Sequence, residues 1–249
     1  MPRPIYVVDI GANPIDETPP YKPLLQKDLC KVIGFEPQND ALIKLHSASG
    51  PNESYYPYCI GDGSRHTLYE CYCPGMTSLL EPDPDACKLF QHFFNYGKVI
   101  KTRQVQTQRL DDVEEIPHID FLKIDAQGSE LSVFRNGRNK LRETVVIHTE
   151  VSFMPLYKNQ PMFCEVDEEL RMQGFIPHFF DNIKSWPFCP PTDRRYKQLL
   201  EADIVYIKDI SHSENLTTEQ LERLLVIMHH CYDSNDLVKY CGAILEERY

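Results

Sequence analysis

Short apolar runs alternate with amphipathic segments along most of the chain. Several of these runs are continuously apolar, which is typical of strands that are covered on both faces of a parallel sheet. The amphipathic segments between them predict covering helices, so the pattern indicates an α/β fold with helices on both faces of a mostly parallel sheet. The seven predicted strands are Ile5–Ile10, Lys31–Phe35, Tyr55–Ile60, Phe121–Ile124, Val145–Thr149, Pro177–Phe180 and Ile204–Ile207.

Two helices in the middle of the chain are marked by their start and stop residues. Pro161 suits the first turn of a helix and Gly174 suits a left-handed stop, which predicts a helix over Pro161–Gln173. A second helix is predicted to begin at Gly128–Glu130 and to end at Asn136–Gly137.

After Asp209 the pattern becomes purely helical. Thr217–Gln220 resembles a capping box ahead of an apolar helical face, and Ser234 precedes a second such face. We therefore expect a helical hairpin over residues 210–249, appended to an α/β domain over residues 1–209. Between residues 59 and 104, glycines and prolines mixed with aromatic residues predict irregular structure with short strands.

The charge balance argues against one class of partner. Asp and Glu outnumber Lys and Arg by 37 to 26, and a net charge of −11 disfavours a groove that follows nucleic-acid phosphates. The apolar run before Asp9 is too short for a signal peptide, and no run approaches the roughly 18 apolar residues of a membrane span. Nine cysteines without a repeated framework indicate reduced thiols. We therefore expect a soluble, cytoplasmic protein that binds no nucleic acid, and the sequence is compatible with a homo-oligomer.

Residues at the ends of the predicted strands indicate a cofactor site. Gly11 follows the first strand, where the absence of a Cβ lets backbone approach a ligand. Glu36 follows the second strand, where a carboxylate can accept hydrogen bonds from the ribose of an adenosine-containing cofactor. Asp62 follows the third strand and could accept from an adenine amino group, with an aspartate that stabilises a turn as an equal alternative. Asn13 and Asp16 stand where the dinucleotide pattern G-x-G-x-x-G requires glycine, which disfavours NAD.

Several motifs occur together in one order and spacing. They are Val8–Asn13, Gly34–Pro37, Leu110–Asp112, Ile119–Glu130, Thr149–Val151, Leu156–Tyr157 and Gln160. Over about residues 5 to 209 this arrangement resembles the FkbM-type methyltransferases, and the block Asp-Phe-Leu-Lys-Ile-Asp-Ala-Gln-Gly-Ser-Glu is its most specific part. The resemblance implies a Rossmann-like class I methyltransferase fold, S-adenosylmethionine as the methyl donor and a hydroxyl group as the acceptor.

The resemblance also implies which residues hold the cofactor. They follow the ends of neighbouring strands, where open α/β sheets bind their ligands. The implied cofactor-binding residues are Asp9, Gly11, Ala12 and Asn13 at the methionine part, Glu36 and Pro37 at the ribose, Asp62 at the adenine, and Asp125 at the methionine end and the acceptor.

Methyl transfer to a hydroxyl requires alignment of the reacting groups and removal of the acceptor proton. The candidate bases are Asp125 first and Glu150 second, followed by Glu130 and His148. Lys123 shares a strand face with Asp125 and is expected to line or brace the same site, with a structural ion pair as the alternative. His148 is interpreted more simply as a buried histidine with a satisfied hydrogen bond.

The chain departs from the family pattern after Asn13. The family commonly has a second glycine and the start of a helix at this point, whereas this chain has prolines at positions 14, 19, 20 and 23. Because prolines at these positions cannot continue a helix, we expect an extended loop over the cofactor and a shortened helix around Leu24–Asp28. Asp16, Glu17 and Tyr21 are candidate contacts to the cofactor or the substrate.

Two groups of residues have side chains that can bind a metal ion, and both sites are disfavoured. Asp125, Glu130 and Glu150 carry the hard oxygen ligands that Mg²⁺ prefers. Cys71 and Cys73 suggest zinc, but their spacing lacks a C-x₂-C pair and small buried core residues explain them better. We expect no metal.

The sequence thus predicts an S-adenosylmethionine-dependent O-methyltransferase that acts on a small-molecule or carbohydrate-like hydroxyl acceptor. Trp186, placed in a loop after the sixth strand, is a candidate for substrate specificity or for anchoring that loop. One alternative function is a catalytically silent Rossmann-like binding module, suggested by the proline-rich break. A less favoured alternative is an NAD-dependent enzyme, which Glu36 alone supports.

Overall fold

The computed structural model describes residues 3–13, 18–190 and 197–249, so that Asp16 and Glu17 lie outside the described residues. The described residues form ten strands and nine helices. The strands are β1 (Ile5–Ile10), β2 (Cys30–Phe35), β3 (Glu53–Tyr56), β4 (Cys59–Gly61), β5 (Arg65–Cys71), β6 (Val99–Arg109), β7 (Phe121–Ile124), β8 (Val146–Ser152), β9 (Phe175–Trp186) and β10 (Gln198–Lys208). The helices are α1 (Lys22–Gln26), α2 (Asn39–Ala48), α3 (Pro84–Lys88), α4 (Phe93–Tyr96), α5 (Glu130–Arg135), α6 (Arg138–Leu141), α7 (Phe163–Met172), α8 (Thr218–Tyr232) and α9 (Asn235–Arg248).

The main sheet has seven strands in the order β3-β2-β1-β7-β8-β10-β9. Neighbours from β3 to β8 are parallel, whereas β10 is antiparallel to both β8 and β9. This arrangement confirms the predicted seven-stranded, mostly parallel sheet. It places the carboxyl ends of β1, β2, β7 and β8 along one edge, which is where ligands of open α/β sheets bind.

The segment between residues 59 and 104 differs from the prediction. The predicted strand Tyr55–Ile60 is divided between β3 and β4, and β4 joins β6 and β5 in a second, three-stranded sheet. β6 is a long strand in which polar and charged side chains alternate, and most of its residues are exposed or half-buried. It therefore lacks the apolar runs from which the other strands were predicted.

The two faces of the main sheet are covered by different helices. Leu131 and Phe134 of α5 and Leu170 of α7 lie in the apolar core on one face. The core on the other face contains Leu24 of α1 and Leu224 of α8, together with buried residues of α9. Since α1 has only five residues, most of this second face is covered by α8 and α9.

The C-terminal helical hairpin is confirmed, and α8 and α9 are its two helices. The capping box before α8 is formed as predicted. The Thr217 hydroxyl accepts from the Gln220 amide at 3.1 Å, and the Gln220 side-chain oxygen accepts from the Thr217 amide at 2.9 Å. Two unsatisfied donors at the helix start are thereby paired.

The shortened helix after the proline-rich segment is also confirmed, although it begins two residues earlier than predicted. Pro23 is tolerated because it lies in the first turn of α1, where its missing N–H would have no partner.

Trp186 is placed differently from the prediction, since it is the last residue of β9 and not part of a following loop. Among the described residues, none of the helices combines the length and the apolar character that crossing a bilayer requires.

Candidate functional site

A cleft of about 1120 Å³ lies at the carboxyl ends of β1, β2, β7 and β8. It brings together most of the residues that the sequence singled out. Those lining it are Asp9, Gly11, Ala12, Asn13, Glu36, Pro37, Lys123, Asp125, His148, Glu150 and Trp186. Asp62 and Glu130 are not among its lining residues.

Asp9 lies near the end of β1, on the same strand face as the buried Ile5 and Val7. Its side chain is almost completely buried, and the Tyr21 hydroxyl donates to its Oδ2 at 2.6 Å. Lys123 Nζ lies 3.4 Å from Asp9 Oδ1 and equally far from the Gly11 carbonyl oxygen. Burial first, and then the charge of Asp9, raises the pKa of Tyr21, so its hydroxyl remains a donor at neutral pH.

Gly11 joins the loop after β1 to the loop after β7. Its φ is +76°, and a Cβ at this position would lie 1.9 Å from the Asp125 backbone oxygen. Its amide and that of Ala12 donate to the Phe35 carbonyl at 3.0 and 3.2 Å. The close approach that requires glycine is therefore an approach of one loop to another within the chain.

Glu36 directly follows β2 and is only 2% exposed. Its Oε1 accepts a hydrogen bond from the Gln38 amide at 2.6 Å. Burial is the main reason that the pKa of Glu36 is raised to about 7, and the nearby Asp9 charge adds to this effect. Beside it, the Pro37 carbonyl accepts from the Arg103 guanidinium of β6 at 2.7 Å, a contact that the sequence did not indicate.

Glu130 braces the loop after β7. Its Oε1 accepts from the amides of Ala126 and Gly128 at 2.8 and 3.2 Å. Burial raises the pKa of Glu130 to about 7. In the same loop, Asp125 lines the cleft and its Oδ1 accepts from the Gln127 side-chain amide at 2.7 Å. Glu130 thus shapes the loop from behind, while Asp125 faces the cleft.

A group of charged residues on β9 and β10 was not predicted from the sequence. Lys184 of β9 lies 3.0 Å from Glu150 Oε1, 3.2 Å from Glu201 Oε1 and 3.9 Å from Asp203 Oδ2. All four residues line the cleft. The only signal available was the polar character of positions 201 and 203 just before the apolar run Ile204–Ile207.

His148 is a buried histidine with a hydrogen-bond partner. It lines the floor of the cleft, and its Nδ1 lies 2.9 Å from the hydroxyl of Tyr232, the last residue of α8. Burial lowers the pKa of His148 to about 4, so its ring is neutral at physiological pH. The helical hairpin therefore contributes directly to the wall of the cleft.

Asp62 lies in the turn after β4. Its Oδ1 accepts from the Ser64 amide at 2.7 Å and lies 2.9 Å from His66 Nε2. These contacts correspond to the turn-stabilising alternative for this residue.

Of the two cysteines that could suggest a zinc site, Cys71 is buried and Cys73 is half-buried. Within the described ranges, no group of three or more His, Cys, Asp or Glu residues is arranged to hold a metal ion.

Comparison with solved structures gives methyltransferases of very low sequence identity. The magnesium protoporphyrin IX methyltransferase of Synechocystis PCC 6803, solved with bound S-adenosylmethionine, is 9% identical, with a TM-score of 0.41 over 83% of this chain and 71% of that chain. A methyltransferase from Listeria monocytogenes that is named as S-adenosylmethionine-dependent is 9% identical, with a TM-score of 0.44 over 82% of this chain and 91% of that chain. A precorrin-6y C5,15-methyltransferase from Geobacter metallireducens is 12% identical, with a TM-score of 0.40 over 82% of this chain and 80% of that chain.

Comparison with curated proteins gives no match. The model of the methyltransferase FkbM domain, by contrast, matches residues 9–177, which include the end of β1, all of β2 to β8 and most of the residues that line the cleft. The fold is the class I methyltransferase fold, with the hairpin of α8 and α9 added at its C-terminal end. The chain belongs to the FkbM methyltransferase domain family.

Proposed function

We propose that this protein is an S-adenosylmethionine-dependent O-methyltransferase whose acceptor is a hydroxyl group on a small or carbohydrate-like molecule. The observation that carries the proposal is the convergence of Asp9, Glu36 and Asp125 on one cleft at the carboxyl ends of three neighbouring strands. Membership of the FkbM family supports methyl transfer as the reaction.

The residues of the cleft fit S-adenosylmethionine. Glu36 is a buried carboxylate at the position where folds of this type bind ribose hydroxyls, and burial is the main cause of its raised pKa. Among the described residues, Asp9 Oδ1 is buried and accepts no hydrogen bond, with Lys123 approaching to only 3.4 Å. A ligand that brings hydroxyl and ammonium donors to these two carboxylates would satisfy both. When bound, S-adenosylmethionine supplies a methyl group activated by a sulfonium.

On the acceptor side, we assign the base to Glu150 and place Asp125 between the acceptor and the methionine end. A base works best when its pKa is near the operating pH. Burial raises the pKa of Glu150, as do the charges of Asp125 and Glu201, so its carboxylate holds a proton more readily than an exposed one. Trp186 offers a flat apolar wall in the same cleft, which suits the face of a sugar ring.

Alignment contributes more than proton removal in this mechanism. Oriented approach is worth about 7–11 kcal/mol, whereas a positioned base adds roughly 10²- to 10⁴-fold, which is about 3–5 kcal/mol. The chain serves alignment through the braced loop of Glu130 and through Lys123, which holds Asp9 and the Gly11 carbonyl together. Tyr21 fixes the other oxygen of Asp9.

Substitution of Glu36 tests the cofactor site. In calorimetric titration, Glu36→Ala is expected to weaken S-adenosylmethionine binding at least about tenfold, because the ribose hydroxyls lose their acceptor. Asp40→Ala is the matched control, since Asp40 is an exposed carboxylate at the start of α2 outside the cleft. NAD titrated into the wild type is expected to show no binding. A folded wild type that binds neither ligand would refute the proposal.

Binding of S-adenosylmethionine is expected to strengthen as pH rises towards neutrality. The pKa of Glu36 is raised to about 7, so below this pH the carboxyl is mostly protonated. Ribose hydroxyls donate to the ionised form, so binding must release that proton, and affinity should rise by about tenfold per pH unit before levelling off above pH 7. Titrations from about pH 5.5 to 8.5 measure the slope. Equal slopes for the wild type and Glu36→Gln would contradict this prediction.

A further inference from the structure

Lys184 is held at the meeting point of three carboxylates. It lies on β9, the edge strand of the main sheet, and pairs in register with Glu201 of β10. Glu150 of β8 pairs in register with Asp203 of β10, so that the two antiparallel pairings bring all four side chains to one place. The distances from Nζ place Glu150 closest, at 3.0 Å.

Glu150 has only one cation in direct contact among the described residues. The groups that surround it come from every neighbouring element and are mostly acidic or neutral. They are Asp125 after β7, Glu201 and Asp203 on β10, Lys184 on β9, Tyr157 after β8, His148 on its own strand and Lys123 on β7. His148 is neutral at physiological pH, and Lys123 is engaged with Asp9. Burial and the charges of Asp125 and Glu201 therefore favour the protonated form of Glu150, and Lys184 is the neighbouring group that favours the ionised form.

We propose that Lys184 is a positioning residue that holds Glu150 towards the acceptor and keeps its carboxylate able to take up the acceptor proton. This inference rests on the proposed function and extends it to a residue on the edge strand. In the step concerned, the acceptor oxygen forms a bond to the methyl carbon as the methyl–sulfur bond breaks. The electron pair of that bond returns to sulfur, and the hydroxyl proton passes to Glu150.

Two opposing effects set the pKa of Glu150. Burial and the neighbouring carboxylates raise the pKa of Glu150, and Lys184 opposes them. Without the ammonium group, the pKa of Glu150 would rise further, and its ionised form would be less available to act as a base. An ion pair on the surface would contribute little. Glu150 is only 8% exposed, so solvent screens its attraction to Lys184 less than it would at the surface.

The test uses the pH dependence of stability, which needs no knowledge of the acceptor. A carboxyl whose pKa is higher in the folded than in the unfolded chain stabilises the fold at low pH, and that stability is lost as pH rises through the folded pKa. In Lys184→Met, the pH at which this stability is lost is expected to be at least about one unit higher than in the wild type. Lys184→Arg is expected to keep the wild-type profile. Urea unfolding of the full chain at a series of pH values measures each profile.

Two further variants identify the titrating group. The double variant Lys184→Met, Glu150→Gln is expected to lose the larger part of the shift, because Glu150 lies closest to Lys184. The remaining part belongs to Glu201 and Asp203, whose pKa Lys184 also lowers. Lys158→Met is the matched control: it removes an exposed lysine that pairs with Glu81 at 2.8 Å, and its profile should equal that of the wild type. If Lys184→Met alone does not fold, the double variant is expected to restore folding.

The proposal is overturned if Lys184→Met keeps the wild-type profile. It is also overturned if the double variant retains the shift or fails to restore folding, since the titrating group would then be another carboxyl. These outcomes differ from failure of the proposed function, which is a failure of the wild type to bind S-adenosylmethionine.

Discussion

A chain that ends at Asp209 is expected not to reach the native state. Such a chain lacks α8 and α9, and the face of the sheet that contains Ile5, Val7 and Phe121 would be open to water. Each fully buried leucine or isoleucine contributes about 1.5–3 kcal/mol. The hairpin supplies several of them, so their loss approaches the about 5–15 kcal/mol that stabilises a whole domain.

Circular dichroism and urea unfolding of the shortened chain measure this effect, with point substitutions in the full chain as a graded series. Leu224→Ala in α8 removes a fully buried side chain and should cost about 2–5 kcal/mol of unfolding free energy. Tyr240→Ala in α9 is the control, because Tyr240 is half exposed and should change stability by less than about 0.5 kcal/mol. Cooperative unfolding of the shortened chain would show that residues 1–209 fold without the hairpin.

Gly11→Ala is expected to destabilise the protein by about 3 kcal/mol or more. The new Cβ would lie 1.9 Å from the Asp125 backbone oxygen, and a backbone atom cannot rotate away as a side chain can. The positive φ of Gly11 adds strain for any residue with a Cβ. Because the substitution displaces the loop that carries Asp125, binding of S-adenosylmethionine should be lost together with stability.

Gly242→Ala supplies the matched control for the same chemical change. Gly242 lies within α9, and a Cβ there would have no neighbour within 4 Å. Since alanine favours a helix over glycine, this variant should be about 0.5–1 kcal/mol more stable than the wild type. Urea unfolding measures both variants. A Gly11→Ala protein as stable as the wild type would contradict the close packing of the two loops.

The inner strands β1, β2, β7 and β8 could be predicted because their apolar runs follow directly from burial on two faces. β1 and β7 match the predicted bounds without change, and the capping box located α8 to within a residue. β5 and β6 could not be found in this way. Most of their residues are exposed or half-buried, so polar side chains occupy positions that an apolar pattern would need.

The candidate site shows a similar division. Asp9 lies near the end of one predicted strand, and Glu36 and Asp125 directly follow two others. Parallel strands bring these ends to one edge of the sheet, so the convergence of the three residues could be anticipated. Lys184 and Glu201 meet only because β9 and β10 are antiparallel and paired in a particular register. Register depends on pairing between distant segments and is not encoded in the local pattern of either strand.

The segment before β1 contacts α8 on the face of the main sheet that the hairpin covers, and this has a consequence for synthesis. The Arg3 carbonyl accepts a hydrogen bond from the Arg223 guanidinium at 2.7 Å, and α1 packs against α8. β1 leaves the ribosome well before one of its partner strands, β7, and before the helices that cover it. Apolar strands are therefore exposed to solvent while translation continues, and exposed apolar strands are prone to aggregation. Folding should be completed only after α8 and α9 have left the ribosome, and the yield of native protein should depend on chaperones that bind the uncovered strands.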